Sequence, residues 1–254
     1  MRGIMIKIEN LCVKFKNLTI LKDISMEISP GTTMGLVGES GCGKSTLARS
    51  ILFLNKISSG KIFYKNTELT YGNIQKFRPH MQMVFQDPYA SIDPNMKTGK
   101  VIAEPIIINR QAASVSALKR RVDELMELVG LNKSQKNKYI HEFSGGQRQR
   151  VAIARALATY PDFIIWDEAV SALDVSVKAQ IINLISDLQE ELGLTYLFIS
   201  HDMAIVRHLC DSITVLQHGK IVENGPCETV CSYPKNDYTK KLIKAVLRHP
   251  PLHT

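Results

Sequence analysis

Between Gly38 and Thr46 the chain reads G-E-S-G-C-G-K-S-T, preceded by the apolar run Met34 to Val37 and followed by the helix-like segment Leu47 to Leu54. This is a phosphate-binding loop in the setting such a loop requires, at the end of a strand and the start of a helix. Across Gly38, Glu39, Ser40, Gly41, Cys42, Gly43, Lys44, Ser45 and Thr46, the glycines allow a tight turn that points successive N–H groups at phosphate oxygens. The helix that follows adds the positive end of its dipole. Lys44 would bridge the β- and γ-phosphates, and the Ser45 hydroxyl would ligate Mg²⁺. Alone, the loop specifies a nucleotide and leaves GTPases, kinases, transporters and DNA-repair ATPases open.

Four further positions suit the same chemistry. Asp167 follows four apolar residues, Phe163 to Trp166, where a second acid would reach the Mg²⁺ shell, and Glu168 comes next. A carboxylate at that place can orient and deprotonate an attacking water. Gln86 closes the apolar run in M-V-F-Q and offers a neutral amide to metal or water, while His201 follows a buried strand and can hydrogen-bond a γ-phosphate. Ser144-Gly145-Gly146-Gln147 discriminates among the classes. Two glycines at a helix start expose main-chain N–H groups and the serine adds a donor, so the segment can bind phosphate in its own right. A simple kinase or GTPase has no use for this second element.

The elements that must position these groups are legible from periodicity. Ile6, Ile8 and Leu11, then Ile20, Ile24, Met26 and Ile28, alternate as strands before the turn Ser29-Pro30-Gly31, and Ser58-Ser59-Gly60 marks a turn before the strand-like Lys61 to Tyr64. Val115, Leu118, Val122, Leu125, Met126 and Val129 recur at helical spacing. A further helix is expected to begin near Ser144, and another to run from Val175 to Leu192, stopped by Gly193. With buried strands at Phe163 to Trp166 and Thr195 to Ser200, the alternation predicts an α/β fold whose parallel strands gather functional residues at their C-terminal ends. The expected division is a core over residues 1–86 and 158–224 with an N-terminal antiparallel β subdomain, a helical insertion over 87–157, and a basic C-terminal appendage over 225–254.

Composition sets the outer bounds. The 254 residues are enough for a full α/β core, and 44% apolar with 22% charged residues describes an ordinary globule. No apolar run approaches the roughly 18 to 20 residues that cross a bilayer, and the N-terminus lacks the pattern of a cleaved signal, so secretion is not expected. Five scattered cysteines fit a reducing compartment; Cys227 and Cys231 are one helical turn apart but too few to make a metal site. The net charge of +8 is spread along the chain with no aromatic-interleaved basic motif, so a solvated or phospholipid-facing surface is expected and a nucleic-acid partner is not.

Taken in order, these segments resemble the ATP-binding cassette (ABC) transporter ATPases over essentially the whole chain. The resemblance implies Walker A at Gly38 to Ser45, the glutamine loop at Gln86, the signature at Ser144 to Gln147, Walker B at Phe163 to Asp167, the catalytic glutamate at Glu168, the D-loop at Ser171 to Asp174 and the switch histidine at His201. It further implies that Phe15 stacks on adenine, the other reading of that residue being a core phenylalanine in a strand. The implied fold is a P-loop NTPase of RecA-like core with an inserted helical subdomain. The implied cofactors are ATP and Mg²⁺, with metal ligands Ser45, Gln86 and Asp167.

Within the family, Met81 to Pro94, His201 to Asp211 and Tyr233 to Leu242 resemble the oligopeptide, dipeptide and nickel importers, and Ala169-Val170 in place of the usual Pro-Thr resembles the nickel type. Phe143 replaces the leucine that commonly opens the signature. Many peptide-importer ATPases carry a longer C-terminal extension with a cysteine cluster, and nothing tied to it is carried over. The resemblance implies a head-to-tail pair with a second, different ABC ATPase, each ATP lying between one Walker A and the other signature, with Asp174 coupling the two sites. It also implies integral-membrane permeases, an indirect link to an extracytoplasmic solute-binding protein, and a place at the cytoplasmic face of the membrane. A ribosome- or nucleic-acid-associated ABC switch is the rival; it usually carries two cassettes or a long coiled coil, and no sustained heptads occur here. A regulatory subunit without turnover is the third reading, opposed by Glu168 and His201.

Overall fold

Alternating burial in the first thirty residues produces two long strands, β1 Ile6–Phe15 and β2 Leu18–Ile28, which pair antiparallel with Ile6 opposite Ile28. The computed structural model describes residues 3–16, 18–87 and 91–247. After the turn at Gly31 come β3 Thr33–Val37, α1 Lys44–Ile51, β4 Ser59–Tyr64 and the short β5 Thr67–Glu68. The middle of the chain holds α2 Ile74–Phe77, β6 Met81–Val84, α3 Thr98–Ile108, α4 Val115–Leu128, α5 Gly145–Leu157, β7 Phe163–Asp167 and α6 Val175–Leu192. The last part supplies β8 Thr195–Ile199, α7 Met203–Leu209, β9 Ser212–Gln217, β10 Lys220–Pro226, α8 Cys227–Ser232 and α9 Asp237–Leu247. By their contacts the residues form two compact units, Met1–Gln75 with Thr195–Thr254, and Lys76–Leu194.

In the first unit, β2-β1-β4-β5 form an antiparallel sheet, and β10-β9-β3-β8 lie side by side. β3 is parallel to β8, Leu36 opposite Ile199, and parallel to β9, Val37 opposite Val215. Every residue of β3 and β8 is buried, as parallel strands covered on both faces require, whereas β1 alternates between buried and part-exposed positions. Each fully buried Leu or Ile in such a strand contributes about 1.5–3 kcal/mol. Beyond Gly225 the chain is folded against this unit: Cys227, Val230 and Cys231 of α8, and Thr239 and Ile243 of α9, are buried.

In the second unit, β6 and β7 pair in parallel, Met81 opposite Phe163 and Val84 opposite Trp166, so both strands end together. α6 matches the expected range Val175 to Leu192, and both of its ends are capped. The Asp174 carboxylate accepts the Val177 N–H at 2.9 Å, and Gly193 closes the helix in the left-handed region at φ 64°. α3 was not legible as a separate element because it holds Pro105 in its interior. The Pro105 carbonyl nevertheless accepts from both the main-chain and side-chain nitrogens of Asn109, which closes the helix end.

Candidate functional site

In the first unit the buried strand β3 delivers the phosphate loop into α1. Lys44 is 5% exposed, and its ammonium donates to the carbonyls of Gly38 at 2.8 Å and Glu39 at 2.9 Å, so its charge lies within the curve of the loop. The loop is tied from outside by the turn between β9 and β10, where the Gly219 N–H donates to the Cys42 carbonyl at 3.0 Å. A Cβ on Gly38 would stand 2.2 Å from the Leu216 carbonyl oxygen at a φ of 152°, so only glycine lets β9 approach this closely. Cys42 is buried, and burial pushes its thiol above the ordinary value of 9.0, the Lys44 charge acting in the opposite direction.

His201 sits exposed beyond the fully buried β8. Its turn is held from both sides, since the Asp202 N–H donates to Ser200 Oγ at 2.9 Å and the Asp202 carboxylate accepts the Ala204 N–H at 3.0 Å as the cap of α7. Phe15, at the end of β1, is 46% exposed, which removes the reading as a core phenylalanine. Cys227 and Cys231 do come together on α8, with sulfurs 3.8 Å apart. Burial pushes the Cys227 thiol up to about 12, as in an apolar structural site. No group of three or more potential metal-ligating side chains of His, Cys, Asp or Glu occurs among the described residues.

In the second unit, Asp167 ends β7 and is 4% exposed, while Glu168 is half-buried and lies in the left-handed region at φ 50°. A non-glycine residue there is strained, and the turn that holds it is explicit: the N–H and the hydroxyl of Ser171 both donate to the Glu168 carbonyl, at 3.0 and 2.9 Å. Gln86 is exposed two residues beyond β6. The shared register of β6 and β7 therefore brings Gln86, Asp167 and Glu168 to one end of the strand pair.

Ser144 caps α5 reciprocally: its Oγ accepts the Gln147 N–H at 3.4 Å, and Gln147 Oε1 accepts the Ser144 N–H at 3.1 Å. Ser144 and Gly145 are exposed at a helix start, where the first N–H groups have no partner within the helix. Gly146 has a role that the sequence did not disclose. A Cβ there would stand 2.4 Å from Val177 Cγ1 of α6, so its absence lets the starts of α5 and α6 meet, and a Cβ on Gly145 would lie 3.5 Å from Leu173, next to Asp174 in the chain.

The ABC transporter family profile matches residues 21–171. The oligopeptide transport ATP-binding protein OppF of Bacillus subtilis is 50% identical over 229 residues, covering 88% of this chain and 75% of that protein. The dipeptide transport ATP-binding protein DppF of Haemophilus influenzae is 43% identical over 246 residues, covering 96% of this chain and 75% of that one. Among solved structures, a dimeric post-hydrolysis state of the ATP-binding cassette MJ0796, bound to ADP and Pi, superposes with a TM-score of 0.78 at 30% identity, over 88% of this chain and 99% of that one. These matches agree with the α/β fold, and the chain therefore belongs to the ABC transporter family, as an ATP-binding subunit that hydrolyses ATP.

Proposed function

We propose that this subunit powers peptide import through separate integral-membrane permeases, paired head to tail with a second ABC ATPase at the cytoplasmic face of the membrane. The observation that carries the substrate class is the 50% identity to an oligopeptide transport ATP-binding protein over 88% of the chain. No helix among the described residues is long and apolar enough to cross a membrane, in keeping with a pathway supplied by other subunits. Deletion of the gene is expected to cut uptake of radiolabelled oligopeptide at least about tenfold, with recovery on complementation, given that transport here is driven only through ATP turnover. Normal peptide uptake with lost nickel uptake would instead assign the chain to metal import.

In this reading Lys44 and the main-chain N–H groups from Gly38 to Thr46 bind the phosphates, and Phe15 offers its exposed ring to adenine. Ser45, Gln86 and Asp167 supply hard oxygen donors of the kind Mg²⁺ prefers, alongside phosphate oxygens. Bound there, Mg²⁺ would neutralise charge on the phosphates. Glu168 takes the proton of the attacking water, and His201 hydrogen-bonds the γ-phosphate. The helix start Ser144, Gly145, Gly146 and Gln147, of which Ser144 and Gly145 are exposed, faces the phosphate loop of the partner ATPase, so ATP closes the pair and hydrolysis releases it. Asp174, fixed as the cap of α6, would couple the two sites.

Cys42 reports on the phosphate loop directly. Because the thiolate is the nucleophile and burial raises this thiol, iodoacetamide should label Cys42 slowly at neutral pH and faster as pH rises through and beyond 9.0. Saturating ATP should slow that labelling at least about tenfold by occupying the loop, while the buried Cys210, Cys227 and Cys231 serve as internal controls in the mass spectrum. Labelling of Cys42 that ignores ATP would displace the nucleotide from this loop.

A further inference from the structure

Tyr238 belongs to none of the nucleotide motifs, yet its hydroxyl accepts the N–H of Glu39 at 2.8 Å across 199 positions of sequence. That N–H shares a peptide unit with the Gly38 carbonyl, and the same carbonyl accepts from Lys44 Nζ at 2.8 Å. The first peptide of the phosphate loop is thus held on both edges, by the loop's own lysine and by the C-terminal segment. The segment is itself fixed. The Glu223 carboxylate of β10 accepts the N–H groups of Lys235 at 2.8 Å and Asn236 at 3.1 Å, and Asn236 Oδ1 accepts the Tyr238 N–H at 2.8 Å. Burial alone would raise the Glu223 carboxyl, but the donors on it outweigh burial and hold it below the usual carboxylate range. It is therefore ionised at neutral pH, and its hydrogen bonds are charge-assisted. Thr239 and Ile243, buried on α9, anchor the other side.

We propose that Tyr238 is a positioning residue for ATP hydrolysis, bracing the peptide between Gly38 and Glu39 so that the phosphate loop keeps its shape when Lys44 leaves the two carbonyls for a phosphate. The inference rests on the loop being the ATP site. Once the lysine turns away, the Tyr238 hydroxyl is the contact that still holds this peptide from outside the loop, and a preorganised loop does not spend binding energy on ordering itself. Tyr238 touches no reacting atom, so its contribution is equal in the ground and transition states. Its loss should therefore fall on KM rather than on kcat.

The test uses the assembled transporter. Tyr238→Phe, which removes one hydroxyl and keeps the ring, is expected to raise KM for ATP and the Kd of a fluorescent ATP analogue about three- to tenfold, the span of one net hydrogen bond, with kcat falling less than about twofold. The melting temperature without nucleotide should fall by no more than about 6 °C, the cost of one lost hydrogen bond in a chain of this size. Glu223→Gln, which weakens the anchor of the segment, should shift KM in the same direction. Lys44→Ala separates the two levels of the inference. Wild-type affinity in Tyr238→Phe beside lost nucleotide binding in Lys44→Ala overturns the brace alone, whereas nucleotide binding that survives Lys44→Ala overturns the loop assignment beneath it. A lowered melting temperature with kcat and KM damaged together would make Tyr238 merely structural and also overturn the proposal.

Discussion

Glu168→Gln is expected to bind ATP within a few-fold of wild type and to hydrolyse it at least about a hundredfold more slowly, because the amide cannot take a proton from water. A hundredfold corresponds to about 2.7 kcal/mol of barrier. The substitution suits this position for a structural reason. Glu168 occupies the left-handed region at φ 50°, held by the two donors of Ser171, and glutamine meets that backbone with the same Cβ and nearly the same volume. The strain is then common to both forms, and the melting temperature should be unaffected. A truncation such as Glu168→Ala would mix lost chemistry with lost packing.

The measurement is steady-state ATPase activity of the purified transporter, with nucleotide binding followed in parallel. Activity within about threefold of wild type would remove Glu168 from the base role and leave it as a residue that merely closes β7. Slow turnover with weakened binding would point to a damaged site. The sharp outcome is tight binding with slow turnover, since only an interaction made in the transition state behaves that way.

Much of the positioning framework could be read locally, for identifiable reasons. α6 carried its stop in Gly193, and that residue and the Asp174 cap found at its start both act through hydrogen bonds within a few residues. β3, β7 and β8 each carry an apolar run, Met34 to Val37, Phe163 to Trp166 and Tyr196 to Ile199, because both faces of these strands are covered. The antiparallel β1 and β2 showed a period of two because one face is only partly covered. What stayed hidden depends on contacts between distant positions. Gly146 looks like an exposed helix-start glycine until Val177 is placed beside it, and Tyr238 looks like one aromatic in a basic tail until its hydroxyl meets Glu39. Phe15 could be core or ligand-facing by pattern, and only its 46% exposure separates the two. Periodicity reports which face of an element is covered; it does not report what covers it.

Gly219→Ala should be the most disruptive single-methyl change near the site. Gly219 and His218 form the two-residue turn between β9 and β10, both in the left-handed region, at φ 74° and 47°. The glycine N–H holds the Cys42 carbonyl, and its own carbonyl accepts the Lys22 N–H at 2.8 Å, so the turn ties the phosphate loop to β2. A Cβ at 219 would stand 1.9 Å from the Ile20 carbonyl oxygen, a main-chain atom of β2 that can yield only if the strand moves. Left-handed strain costs about 1–2 kcal/mol and forced displacement of packed structure about 1–3 kcal/mol more, for a total of about 2–5 kcal/mol. At about 2–4 °C per kcal/mol for a chain of this size, the melting temperature should fall by about 4–20 °C. Gly31→Ala isolates the first contribution, since Gly31 has a φ of 69° but nothing within 4 Å of an added Cβ. Its loss should stop at about 1–2 kcal/mol, with nucleotide affinity intact. Gly219→Ala should lose affinity as well, because the displaced turn releases Cys42 inside the loop. If both variants melt at the same temperature and bind ATP equally, the close approach at Gly219 is not what holds the loop in place.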